Sequence, residues 1–146
     1  MFAPVHMAVG ALSQAALKRK PETAIVAVIS HFIMDNPRLW HAPYPWPEGS
    51  PAILWFLPYP HNPASSLVAA LLIALTIVLV LLFWRYWWGM IWAISPDVLD
   101  WLILRPMIGH GVLHNWVFSW LSTPWGFALE LSLFASIIIG LWRGAK

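Results

Sequence analysis

The sequence predicts an all-α fold of the polytopic, membrane-embedded kind, and three observations predict it. Of 146 residues, 60% are hydrophobic and only 10% charged, with a mean hydropathy of +0.70. A soluble domain of this length cannot hide so much apolar surface. The stretch from Leu67 to Trp84 holds no charge at all, which is enough chain to cross a hydrocarbon core of about 30 Å. Finally, acids and imidazoles stand inside or beside apolar runs, where an ionisable group costs roughly 3 kcal/mol or more and by default marks a functional site.

Five apolar segments follow in order, in one helical domain covering residues 1–146. The first runs from about Pro4 to Leu17 and the second from about Glu22 to Met34, joined by Lys18-Arg19-Lys20-Pro21. Both are short for full spans, so they form a helical hairpin, either tilted or entering only part of the bilayer. Asn62-Pro63 can cap and open the third segment, Ala64 to Phe83. The fourth, about Trp88 to Leu104, is interrupted by Ser95-Pro96. Thr123-Pro124 opens the fifth, about Pro124 to Trp142. Between the last two, Met107 to Leu121 reads as a short interfacial helix. A single glycine, Gly89, marks the turn between segments three and four, and one long helix from Ala64 to Ile94 is the alternative.

Lys and Arg near span ends stay on the cytoplasmic side. Five spans with the N-terminus outside and the C-terminus inside put Lys18, Arg19, Lys20, Arg85, Arg143 and Lys146 inside, leaving Arg38 and Arg105 outside. The N-terminal basic residues follow the apolar stretch rather than precede it, the reverse of a signal peptide, so the segment is expected to be retained. The stretch 36–63 carries eight of the thirteen prolines and cannot be a helix or a central strand. Its Trp40, Tyr44, Trp46, Trp55 and Tyr59 suit an extracytoplasmic loop on the headgroup region or a lid over a site. Trp84 to Trp88 has the composition of an interfacial belt with a snorkelling Arg85. Gly10 allows close helix approach.

The net charge of +2 is small and scattered, which excludes nucleic acid as an expected partner. With no cysteine, disulfides and thiolate sites are excluded, and any metal is held by nitrogen and oxygen. Spacing decides which residues can share it. His31 and Asp35 are i and i+4, on one helix face about 6 Å apart. Asp97 and Asp100 are i and i+3, and carboxylates so close oppose each other's ionisation unless a cation intervenes. His110 and His114 are again i and i+4, a spacing that offers two imidazoles to zinc. In the five-span topology His6, His31, Asp35, His110 and His114 lie at the outer side. Asp100 is about five residues, roughly 7 Å of helix, from it, and Glu130 about two turns.

Bland readings stand beside these. Ser95-Pro96-Asp97 can simply start a helix, with Ser95 as cap and Asp97 favoured by the macrodipole. His41 and His61 read as wet loop residues. Glu130 is a proton carrier, a group behind a ligand or a packing contact.

The segments PVHMAVGAL, SHFIMD, SPDVLDW and HGVLH resemble small bacterial integral-membrane proteins related to the membrane-bound metal-dependent hydrolases. The resemblance covers about half the chain. It implies that His6, His31, Asp35, Asp97, Asp100, His110 and His114 supply a metal site, and it implies the bacterial inner membrane as location. The chain departs from some members of that group at Trp101 and at Gly111-Val112-Leu113. Two functions are therefore expected. One is a metal-dependent hydrolase of lipid-type esters or phosphoesters, with a divalent ion, zinc above others, and a spare acid, Asp97 or Glu130, as general base. The alternative is a non-catalytic accessory subunit of a respiratory or photosynthetic type of complex, packing Trp-rich faces on partner membrane subunits and ligating a pigment, haem or structural metal. A transporter is weaker, since no repeated pair of broken helices is visible.

Overall fold

The computed structural model describes residues 3–35, 63–108 and 124–144. Every element among them is helical. The N-terminal hairpin is formed by α1 (Ala3–Leu17) and α2 (Lys20–Met34). Helix α1 stops where Lys18 turns left-handed, with φ of 61°, and the Lys18 N–H donates to Gln14 O at 3.1 Å, a one-bond αL cap. Arg19 then takes an extended conformation as N-cap of α2. Pro21 and Glu22 occupy the first turn, where a missing N–H is harmless and a negative charge favourable.

Helix α3 (Pro63–Phe83) leads through a single 3-10 turn, Trp84–Tyr86, into α4 (Trp87–Val98), π-helical turns at Leu99–Leu104, and the short α5 (Arg105–Ile108). Helix α6 spans Pro124–Gly144. The hub is α1, which packs against α2, α3, α4 and α6, while α2 also packs on α4. Its N-terminal half is accordingly buried on nearly every side. The core gathers Val5, Ala8, Met34, Leu79, Phe83, Met90, Phe134, Ile137 and Leu141. On α6 the buried positions Glu130, Phe134, Ile137 and Leu141 recur at the spacing of one helix face.

Three ladders at i, i+4 spacing explain how α1, α2 and α4 approach so closely. They are His6-Gly10-Gln14 on α1, Thr23-Ala27-His31-Asp35 on and just past α2, and Gly89-Ala93-Asp97 on α4. Residues four apart share a face. A Cβ on Gly10 would overlap the Gly89 carbonyl and lie 2.7 Å from Ala93 Cβ, and a Cβ on Gly89 would overlap the Gly10 carbonyl. The backbones therefore touch, as the small-residue rule predicts. Gln14 completes the joint: its Oε1 accepts from Gly89 N–H at 2.8 Å and its Nε2 donates to Arg85 O at 3.3 Å. A side chain of α1 thus satisfies one of the orphan donors at the start of α4. Trp88 Nε1 also donates to Lys20 O at 2.9 Å, tying α4 to the connection between α1 and α2.

Several sequence expectations are corrected here. Five separate spans are not supported: one helical run, Ala70–Ile108, is long and apolar enough to cross a membrane among the described residues, and segments three and four are not divided by a loop. Gly89 is not spent on a turn, because the Gly10 backbone occupies the space a side chain would need. Nor does Ser95-Pro96 interrupt or cap segment four, since Pro96 lies inside α4 and Ser95 Oγ donates backwards to Trp92 O at 2.8 Å. Of the loop expected at 36–63, residues 36–62 lie outside the described residues, as does the His110-His114 connection, while Pro63 opens α3.

Polarity is distributed inside out. Ile25, Ile29 and Ile33 on α2, Leu67, Ile77 and Leu81 on α3, Leu102 and Ile103 in the π turns, and Ile139 on α6 are exposed, whereas His6, Thr23, His31, Asp35, Asp100 and Glu130 are buried.

Candidate metal centre

Helix antiparallelism brings the site together. His6 lies in the second turn of α1, His31 and Asp35 at the end of α2, and Asp97 near the end of α4, so the three ladders terminate at a common place. Asp35 is the C-cap of α2, its N–H returned to His31 O. This fixes the carboxylate one turn beyond the imidazole.

The Asp35 carboxylate is held between two imidazoles, with His6 Nε2 3.0 Å from Oδ1 and His31 Nε2 3.2 Å from Oδ2. The two rings stack with centroids 4.1 Å apart at 27°. Asp97 Oδ1 is 3.7 Å from His31 Nε2. Of the four residues Asp97 alone has appreciable exposure, its side chain 26% accessible, against 4% or less for the others.

Donor roles follow from chemistry. His31 Nδ1 lies 2.7 Å from Ala93 O, and a carbonyl only accepts, so Nδ1 carries the proton. Nε2 then faces the carboxylate oxygens of Asp35 and Asp97, and an N···O approach of 3.2 Å requires a proton or a metal ion between them. Burial sharpens this requirement, because unpaired charge in a dry interior is costly. His6 differs: with Nε2 on Asp35, its Nδ1 is buried without a hydrogen-bond partner. Buried polar atoms of this kind are rare and call for an explanation.

His6, His31 and Asp97 each offer a ligand atom, and these atoms all lie within 4.8 Å of one another, a group that could hold a metal ion. The donors are nitrogen and oxygen, in keeping with a chain that has no cysteine.

Of the residues singled out from the sequence, the structure brings together His6, His31, Asp35 and Asp97. Asp97, expected among the catalytic acids, falls within ligand distance of the imidazoles. Asp100 is fully buried, in the π-helical turns. Glu130 is buried on the core-facing side of α6. His110 and His114 are outside the described residues. Sequence reasoning missed the Ala93 carbonyl and Gln14, and read Ser95 as a helix cap rather than as a donor to Trp92 O. A proline one residue before an acid, inside an apolar helix with small residues every fourth position, is the signal that points to them.

No protein-family model, curated protein or solved structure matches the chain.

Proposed function

We propose that this is a membrane-embedded protein that binds a divalent cation between α1, α2 and α4, with hydrolysis of a lipid-type ester or phosphoester as the chemistry that such a centre serves. The observation that supports it is the convergence of His6, His31 and Asp97 donor atoms within 4.8 Å, in a helix cluster whose exterior is largely apolar. Exposed Ile and Leu on each long helix suit hydrocarbon, and the remaining helices accompany Ala70–Ile108 into the bilayer in this reading. Zinc fits the donor set best, since it accepts imidazole nitrogen and carboxylate oxygen at about 2.0–2.2 Å.

A divalent ion supplies Lewis acidity and acidifies bound water. The chain's own contribution is to hold the imidazoles in place. Ala93 O grips His31 through Nδ1. Asp35, with its oxygens against Nε2 of both rings, would join them as a ligand, and the partial exposure of Asp97 leaves that side of the cluster as the approach for substrate. Glu130, buried on α6, is the acid expected to act as general base.

The test is metal analysis of the full chain purified in mild detergent, followed by titration of the metal-free protein with Co2+. Wild type is expected to bind one equivalent with a visible d–d spectrum, and Asp97→Asn and His31→Ala to lose most of that affinity. Absence of binding in wild type refutes the metal reading. Binding with no turnover of ester or phosphoester lipids refutes the hydrolase and favours the accessory-subunit reading, which the exposed Trp84 and Trp142 also suit as partner-facing aromatics.

A further inference from the structure

Helix α4 carries a proline in its interior, at Pro96. Proline has no N–H to give the carbonyl four residues back, and its ring crowds that carbonyl, so the turn opens. The carbonyl concerned is that of Trp92, which instead accepts from Ser95 Oγ at 2.8 Å. The next carbonyl along the same opened turn is Ala93 O. It accepts from His31 Nδ1 at 2.7 Å, in a fully buried contact between helices. Just beyond Pro96 comes Asp97, whose Oδ1 lies 3.7 Å from His31 Nε2, and from Leu99 the helix is π-wound.

These facts share one cause. We infer that Pro96 is a positioning residue: by opening the α4 turn it turns the Ala93 carbonyl towards α2, and that carbonyl fixes His31 with Nδ1 protonated and Nε2 directed at the cation site. The inference rests on the metal reading of the cluster and names the device that orients one of its ligands. Histidine ligands to metals are oriented by a hydrogen bond from the other ring nitrogen, and losing that bond generally costs about 10–100-fold in affinity. The backbone is well suited to the task, because a carbonyl cannot become a donor and so cannot invert the tautomer. Ser95 has a separate role. It satisfies the carbonyl that proline orphans, that of Trp92.

The experiment compares wild type, Pro96→Ala and Ser95→Ala, each as the full chain in mild detergent. Alanine is the better helix former, so Pro96→Ala is expected to fold, with an unbroken hydrogen-bond ladder that draws Ala93 O back into its own helix. The first readout is nitrogen-15 NMR of histidine-labelled, metal-free protein at alkaline pH, where imidazoles are neutral and the protonated nitrogen is seen directly. Wild type and Ser95→Ala should show His31 protonated at Nδ1, and Pro96→Ala should lose that preference. The second readout is Co2+ affinity, expected to fall about 10–100-fold in Pro96→Ala and to stay within about twofold of wild type in Ser95→Ala.

His31 protonated at Nε2 in wild type overturns the inference. So does a Pro96→Ala protein that keeps Nδ1 protonation and wild-type affinity. If wild type binds no Co2+, the metal reading falls, and the NMR comparison alone decides whether Pro96 sets the His31 tautomer.

Discussion

Gly10→Ala should be among the most damaging conservative substitutions available to this chain. The added methyl would overlap the Gly89 carbonyl and sit 2.6 Å from Gly89 C and 2.7 Å from Ala93 Cβ. Carbon atoms in contact prefer about 3.5–4.0 Å, so α1 and α4 must separate by about 1 Å. The obstacle is backbone rather than the end of a flexible side chain, which puts the overpacking cost at about 1–3 kcal/mol. Separation also stretches the two Gln14 hydrogen bonds across the joint, worth about 0.5–1.5 kcal/mol each. A total near 3 kcal/mol is a large part of a typical stability of about 5–15 kcal/mol. For a chain of this size it corresponds to a fall in melting temperature of about 10 °C. The assay is a thermal melt in detergent of wild type, Gly10→Ala and Ala16→Gly, the last an exposed control on the same helix. Because His6 lies one turn from Gly10 on the same face, the displacement also carries His6 away from His31 and Asp97, and Co2+ affinity should fall with stability. A Gly10→Ala protein that melts within about 2 °C of wild type refutes the backbone contact and the close α1–α4 packing derived from it.

Three further outcomes are expected. Lys18→Gly should stabilise the chain by up to about 1 kcal/mol, read as a raised melting temperature, because an L-residue in the left-handed region is strained and glycine is not. Trp88→Phe removes the indole donor to Lys20 O and should cost about 1 kcal/mol, with faster amide exchange at Thr23, whose N–H closes the first turn of α2. Co2+ affinity should decline as the solution is acidified, because imidazole ligands must shed a proton to bind a metal; affinity that rises on acidification counts against imidazole ligation.

The sequence carried the helical class plainly, and the His31-Asp35 pair emerged from i, i+4 spacing alone. His6 and Asp97 were visible as ionisable residues in apolar surroundings. Their meeting was implied by the family resemblance and not by spacing, because it depends on how α1 and α4 pass each other, and spacing within one helix says nothing of that. The division between segments three and four stayed open, with one long helix as the alternative, for a physical reason. Glycine serves both turns and close contacts, and only the position of Gly10 opposite Gly89 separates the two uses. Pro96 was misjudged: Ser-Pro-Asp matches a helix start, but an opened turn can be repaired by a serine hydroxyl and by a histidine from another helix, and the helix then continues.

Register is what joins packing to chemistry in this molecule. The ladders on α1, α2 and α4 put small residues at the crossing, Gly10, Ala27, Gly89 and Ala93, each buried, and polar residues at one end, His6, His31, Asp35 and Asp97. The opposite end holds Lys18, Lys20, Arg85 and Trp88, placed by the Trp88 bond to Lys20 O and the Gln14 bond to Arg85 O. Sliding α1 past α4 by one helical turn, about 5.4 Å, would set His6 against a different turn of α4 and remove Gln14 from the α4 N-terminus. Larger residues at positions 10 and 89 would hold α1 and α4 too far apart for His6 to share a site with Asp97. The glycine contact is therefore as much a part of the site as its candidate ligands: it sets the distance across which His6 on α1 meets Asp97 on α4, in the His6, His31 and Asp97 group that could hold a metal ion.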